Sequence, residues 1–388
     1  MTNTLDCKMI FRHIIVGIAA ASAASVASAQ SSVTLYGLLD EGINFTSNAN
    51  GHSGWQMRSG DLAGSRWGML GNEDLGGGYQ AVFRLESGFN VNNGASNGGL
   101  FTRQAYVGIK SAEWGQVLLG RQYDPTIDLF SPLTAAGLIM GDVAAHPFDN
   151  DNTDYDYGFN NAVKYISPNI SGLTTEAMYA FSNQAGGFAN NRMYSAAASY
   201  KRAGLTAAVA YMRITNPGLT SGALTLGSVF TGAAQQNIDA GVNYDFGKTT
   251  VGFAYSHTSV SSPTGNAYLV ASATQPPGGA WTNWKFDNFE LNLRYHFTPA
   301  FWAGAAYTFT RSSLDSTVGT FHPNWSVASL MASYSISKRT SLYLQGSYQH
   351  VGGDKTNTDF DRATNYAAGG TSSGPNQAII RAAIFHTF

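Results

Sequence analysis

Gln377-Ala378-Ile379-Ile380-Arg381-Ala382-Ala383-Ile384-Phe385-His386-Thr387-Phe388 is the stretch that decides how this chain is read. Side chains of an extended strand alternate between two faces. Ile380, Ala382, Ile384, His386 and Phe388 therefore share one face, and Ile379, Arg381, Ala383, Phe385 and Thr387 the other. The same dyad recurs upstream, about every 20 residues. Phe289, Leu291, Leu293, Tyr295 and Phe297, for example, interleave with Glu290, Asn292, Arg294 and His296. Many strands with one apolar and one polar face, the last ending on an aromatic residue, predict a β-barrel in an outer membrane.

Composition agrees. Charged residues make up 12% of the chain and aromatic residues 13%, with 44 glycines, as suits a sheet with one face in lipid and many tight turns. The formal net charge is −2, which gives no footing for nucleic acid. The single cysteine, Cys7, lies in a stretch read as a secretory signal. Lys8 and Arg12 form its basic start, Ile14 to Ala24 its apolar centre, and Ala27-Ser28-Ala29 an A-x-A cleavage site. Residues 1–29 are thus expected to be removed and 30–388 to form the barrel, without thiol, disulfide or cysteine-bound metal. No run of 18 uncharged apolar residues follows Ala29, so helical spans are not expected.

Sixteen strand-like segments can be counted, from 33–45 and 55–72 to 377–388. Short connections such as Ser111-Ala112-Glu113-Trp114 and Thr298-Pro299 alternate with long ones. That pattern predicts periplasmic turns on one rim and extracellular loops on the other. An even count lets the chain ends meet and close the barrel. The expectation is an all-β fold: a sixteen-stranded antiparallel transmembrane β-barrel. Outward faces carry Val33 and Leu35, or Val251, Phe253 and Tyr255. Inward faces carry Asp40, Arg84, Glu86, Glu176, Asp239, Glu290 and Arg294. A charge in lipid near the midplane costs about 2–4 kcal/mol, so these side chains should face a wet lumen. Inward faces of this polarity argue against a dry core and against a soluble sandwich. On the fourth segment, 101–110, placing Arg103 inward places Ala105, Val107 and Ile109 inward as well. Gln104, Tyr106 and Gly108 then face out, a surface suited to a subunit contact.

The longest connection, Asp124 to Phe159, mixes apolar residues (Leu129, Phe130, Leu133, Ile139, Met140) with Asp128, Asp142, Asp149, Asp151, Asp154 and Asp156. Loops of this length are usually functional or disordered, and the apolar content favours an inward fold that narrows the pore. Arg66, Arg84 and Arg103 fall on consecutive strands and point inward. Like charges side by side repel, so they need counter-charges. The acidic loop could supply them across the lumen, giving a transverse field at a constriction; Glu86 and Asp74 could instead pair with them locally. The expected constriction set is Arg66, Arg84, Arg103, Asp128, Asp142 and Lys164, with Arg381 also turned to the lumen.

Several motifs carry a resemblance. Ser32-Val33-Thr34-Leu35-Tyr36-Gly37 is followed by Ser65-Arg66-Trp67-Gly68 and by Asn72-Glu73-Asp74-Leu75-Gly76-Gly77-Gly78. Then come Arg103-Gln104-Ala105-Tyr106-Val107-Gly108, Gly120-Arg121-Gln122 and Asn160-Asn161-Ala162-Val163-Lys164-Tyr165-Ile166-Ser167-Pro168. In this order, with the terminal Phe388, they resemble the general diffusion porins of Gram-negative β-proteobacteria, of the neisserial and burkholderial type. The resemblance implies an inward third loop, a homotrimer latched by the second loop (Val91 to Leu100), and passive diffusion of ions and small hydrophilic solutes. Arg66 and Arg103 match positions of that family's basic eyelet wall. Many relatives carry an arginine just before the Asn-Asn pair, where this chain has Gly158-Phe159; that absence and the acidic 149–156 run argue against strong anion selectivity. The expected surroundings are the bilayer and its lipopolysaccharide.

Other motifs carry less. Asp149-Asn150-Asp151-Asn152-Thr153-Asp154 resembles the start of a calcium loop, but lacks the sixth-position glycine and the closing glutamate; it reads as a solvated acidic loop. His257-Thr258-Ser259 places its members on opposite faces, with no positioned acid, so no catalysis, metal or cofactor is expected. The competing functions are a passive pore, with a pore preferring one solute class as its variant, a barrel enzyme such as an outer-membrane protease or lipase, for which no nucleophile or water-activating cluster is found, and an adhesion surface on a barrel scaffold.

Overall fold

A computed structural model describes residues 32–269 and 275–388. The signal reading of residues 1–29 lies outside them. Sixteen antiparallel strands close into a barrel. The first strand, Ser32–Ala49, pairs with the sixteenth, Asn376–Thr387, in register from Leu38 opposite Thr387 to Thr46 opposite Ile379. The seam continues to the last residue: Gly37 N–H donates to the Phe388 carbonyl at 3.1 Å, and Phe388 N–H donates back at 3.0 Å. A side chain at Gly37 would collide with the Phe388 ring, so glycine is required where the seam ends. Closure leaves no unpaired edge, which hydrocarbon would not tolerate.

The faces sort as the alternation dictates. Leu35, Val209, Leu330, Leu344 and Ile380 are all more than half exposed on the outer wall. On the inner wall Asp40, Glu86, Glu176, Asp239, Glu290 and Arg381 are buried. Among the described residues no single helix is long and apolar enough to cross a membrane.

Three expectations need correction. The second strand, expected over 55–72, is interrupted: its two pieces, His52–Ser59 and Arg66–Gly76, both pair along the same side of the first strand. Between them residues 60–65 leave the wall and turn inward. Gly60, with φ +90°, makes the turn. Asp61 holds it, accepting from Arg381 at 3.3 Å and from Arg58 at 2.9 Å. Arg381 itself points inward but is fully buried beneath this turn, bonded to Asp40 at 3.0 Å, so it braces the wall without lining the passage.

The parity of the fourth strand, Gln104–Ser111, is opposite to expectation. Directly paired residues share a face, and Tyr106 stands opposite Arg84. Tyr106 therefore faces the lumen, while Val107 and Ile109 are exposed outside. Arg103 lies in the bend before the strand, where alternation does not apply, and also reaches inward. The polar exterior read as a subunit contact does not exist on this strand.

The third correction concerns the core. One side of the lumen is dry. Trp284 and Phe286 of the twelfth strand, Trp281–His296, and Trp325 of the fourteenth, Pro323–Ser335, point inward. They meet Phe148 from the third loop and Phe360 from the last loop. Ring centroids lie 5.5 Å apart for Phe148 and Trp325, 5.7 Å for Phe148 and Phe360, and 5.0 Å for Trp284 and Phe360, all edge to face. These strands change character along their length: beyond Phe286, the same inward face continues with Asn288, Glu290 and Asn292.

Candidate functional site

The third loop runs inside the barrel as a chain of short helical turns, Thr126–Phe130, Ser131–Leu133, Ala136–Met140, Gly141–Ala144 and Pro147–Asp149. Its apolar residues bury against the wall. Ile139 and Met140 pack with Met331 and Tyr343, and Phe130 packs with Ala197, Ala210 and Ala254. Its backbone is pinned from the far wall. Ala135 N–H donates to Glu290 Oε1 at 2.8 Å, and Asn292 Nδ2 donates to the Leu133 carbonyl at 2.9 Å. His146 lies between Asp151 (2.6 Å) and Glu290 (3.2 Å) with no exposure. Burial would favour the neutral imidazole, but Asp151 and Glu290 outweigh it and raise the His146 pKa well above its ordinary value. Asp149 and Asp151 are buried, so the 149–156 run is not a solvated loop. Among the described residues no group of three or more acidic, histidine or cysteine side chains is arranged for a metal.

What remains open is an off-axis passage of about 1130 Å³ between this loop and the first seven strands. All six expected constriction residues line it. Their partners differ. Arg103 Nε donates to Glu86 at 2.9 Å, and its guanidinium lies 5.6 Å from the Tyr123 ring centre. Arg66 stands 4.0 Å from the same Glu86. Arg84 lies over the Tyr36 ring at 5.3 Å, without a carboxylate in ion-pair contact among the described residues. Local neutralisation is thus partial and runs through Glu86. Asp74 takes no part; its carboxylate accepts from Gly76 N–H at 2.9 Å, in a turn.

Beside the passage, two further ion pairs join the loop to the wall. Lys164 Nζ bonds Asp128 and lies 3.7 Å from Glu176. Arg58 reaches Asp142 at 3.8 Å. Arg66, Arg84 and Arg121 also line the passage from the wall, and Asp154, Tyr155 and Asp156 from the loop. Arg121 bonds neutral oxygens, among them the Asn160 Oδ1 at 2.6 Å and the Gly158 carbonyl at 3.1 Å. Asp156 accepts hydroxyl bonds from Tyr268 and from Tyr366 (2.6 Å), which ties the third, sixth and eighth loops to one carboxylate. Burial raises its pKa to about 6 against the pull of those two hydroxyls. Burial also raises Asp142, assisted by Asp61 and opposed by Arg58. Such a passage can orient and discriminate charged solutes; among the described residues it holds no nucleophile with a base and an oxyanion pocket.

Residues 17–356 match the model of the Gram-negative porin family. The chain belongs to that family. An outer membrane porin protein of Bordetella pertussis is 34% identical over 357 residues, 84% of this chain and 90% of that one. Among solved structures, an anion-selective porin from Comamonas acidovorans superposes with a TM-score of 0.70 at 22% identity, covering 92% of this chain and all of that one. The trimer form of OmpT, an outer membrane protein of Vibrio cholerae, gives 0.62 at 14% identity, covering 92% and 99%. This protein is therefore an outer-membrane porin, a channel for passive diffusion.

Sequence reasoning missed several residues of the porin's passage. Arg58 and Arg121 lie on the wall, and Tyr366 on the last loop. A signal existed for Arg58 and Arg121, since both lie on strand segments already assigned. Tyr366 had none, because nothing in the sequence says that its loop folds inward.

Proposed function

We propose that Arg66, Arg84, Arg103 and Lys164 on the wall and Asp128 and Asp142 on the third loop form the selective constriction of this porin. The carrying observation is the segregation of charge across the broad passage. Arg58, Arg121, Asp154 and Asp156 complete the set. The proposed working form is a homotrimer of processed chains, 30–388, embedded in the bilayer among lipopolysaccharide. Supporting it are the exposed apolar wall around Leu35, Leu344 and Ile380 and the projecting second loop, with Leu100 68% exposed. Reconstitution into a planar bilayer tests this reading. Ohmic conductance in three equal steps is the expected result; folded protein without conductance would refute it. Arg66→Ser with Arg103→Ser should move the reversal potential in a salt gradient toward cations.

A further inference from the structure

The lipid-facing side of the barrel is not a uniform surface. Across the seventh to eleventh strands, which run from Leu173–Ala180 to Thr249–Ser261, it sinks into an apolar groove of about 420 Å³. The register explains the relief. Directly paired residues share a face. Ala207 stands between Tyr200 and Val242, and Val209 between Ala198 and Ala240. The three alanines are low points in a wall otherwise built of large side chains, with Phe253 closing one side.

A second recess, of about 530 Å³, adjoins the groove at its turn end. Leu173 and Tyr200, paired across two strands, line the groove. Their chain neighbours Gly172 and Lys201 line the recess, together with Arg202. Lys201 and Arg202 are both exposed. Asp245, at the next turn, has its carboxylate engaged by Gly247 N–H at 2.7 Å. This rim carries the short turns and so faces the periplasmic leaflet, away from the long loops and from lipopolysaccharide. Its charge is uneven. The turns of the second to fifth strands carry Glu73, Asp74 and Glu113, whereas this side carries Lys201, Arg202 and Lys248.

Groove and recess follow one another along the strands, as acyl chain and phosphate do in a phospholipid. Four residues separate Ala198 from Arg202, about 13 Å of strand, close to the hydrocarbon depth of one leaflet, about 15 Å. A chain lying in the groove gains contacts that a flat wall does not offer. Basic side chains at headgroup level attract anionic lipid. We propose that groove and recess together hold one anionic glycerophospholipid of the periplasmic leaflet. An acyl chain lies over Ala198, Ala207 and Ala240, and the phosphate meets Lys201 and Arg202.

Native mass spectrometry of the full channel tests this, with the protein released from detergent that carries phosphatidylglycerol or phosphatidylethanolamine of identical acyl chains. Phosphatidylglycerol adducts are expected to be several-fold more abundant. Lys201→Gln with Arg202→Gln should abolish that preference. Lys338→Gln with Arg339→Gln, at another short turn, should keep it. Ala207→Phe fills the groove from the lipid side and should cut phosphatidylglycerol retention several-fold; Ala240→Leu serves the same purpose if that variant does not fold. Glycerol phosphate, a headgroup without chains, should not displace the lipid. Equal retention of the two lipids by the native channel would overturn the proposal. Loss of the preference in the Lys338→Gln, Arg339→Gln channel would do so too, by making the effect one of rim charge in general. Unchanged retention in the filled-groove variants, or displacement by glycerol phosphate, would reduce the site to a phosphate contact and end the lipid reading. A changed number of chains per assembly in those variants would make the groove a subunit contact instead.

Discussion

The two sides of this lumen are built from strands of the same kind and end in opposite states. On the side of the first seven strands, arginines and carboxylates face an open passage. On the side of the twelfth to fourteenth strands, Trp284, Phe286 and Trp325 meet loop residues Phe148 and Phe360 and exclude solvent. A sixteen-stranded wall is too wide for its own side chains to fill. The dry side is dry because loops supply the missing volume. The third loop contributes Phe148 and the eighth Phe360. Their polar groups satisfy one another: Asn365 Nδ2 of the eighth loop donates to the Val143 carbonyl of the third at 3.2 Å. Half the lumen thus acts as a scaffold that presses the third loop toward the charged half.

The largest expected effect comes from breaking the dry side. Phe360→Ala removes the ring at the centre of the cluster. Truncating a buried aromatic residue costs about 3–5 kcal/mol. The midpoint of thermal unfolding should fall, and conductance should rise as water enters beside the third loop. Unchanged midpoint and conductance together would mean that the aromatic side does not support the passage.

The next effect sharpens the wet side. Arg66→Ser with Arg103→Ser removes two of the six basic side chains that line the passage. The cation-to-anion permeability ratio in a salt gradient should rise severalfold. The shift should shrink as salt rises, since exposed charges are screened over about 10 Å at 0.1 M. A salt-independent ratio would place both arginines outside the conducting path.

A smaller effect is set by pH. Asp156 has its pKa raised to about 6, so it is mostly charged about 1.5 pH units above that value and mostly protonated about one unit below it. Acidification removes a negative charge from the loop and leaves the arginines charged. Selectivity should therefore shift toward anions as pH falls through about 6. Asp156→Asn should be shifted toward anions already at the higher pH and lack that step.

The contrast also explains what the sequence could reveal. Alternation reports the direction of each side chain in a regular strand. It therefore turned Arg84, Glu86 and Lys164 inward and supported the count of sixteen. It failed where regularity stops. Arg103 lies one residue before its strand, so its parity misassigned Tyr106 and Val107. Residues 60–65 leave the wall where Asp61 finds Arg58 and Arg381, and the pairing with Arg381 is a long-range one that no local pattern encodes. The inward aromatics of the twelfth strand were visible, but their partners Phe148 and Phe360 come from loops far away in the chain.

The smallest expected effect separates two carboxylates that sequence alone left equivalent. Glu86 and Asp74 each stood as a local partner for the wall arginines. Glu86 lies between Arg66 and Arg103, accepts a bond from Tyr36 at 2.8 Å, and lines the passage. Glu86→Gln removes that shared negative charge and should shift selectivity toward anions. Asp74 sits at the mouth of a short turn, bonded to Gly76 N–H, and does not line the passage. In Asp74→Asn the amide oxygen keeps that bond, so stability should change by less than about 0.5 kcal/mol and the reversal potential not at all. A selectivity change in Asp74→Asn would mean that the field of the periplasmic mouth, and not the constriction alone, sorts the ions.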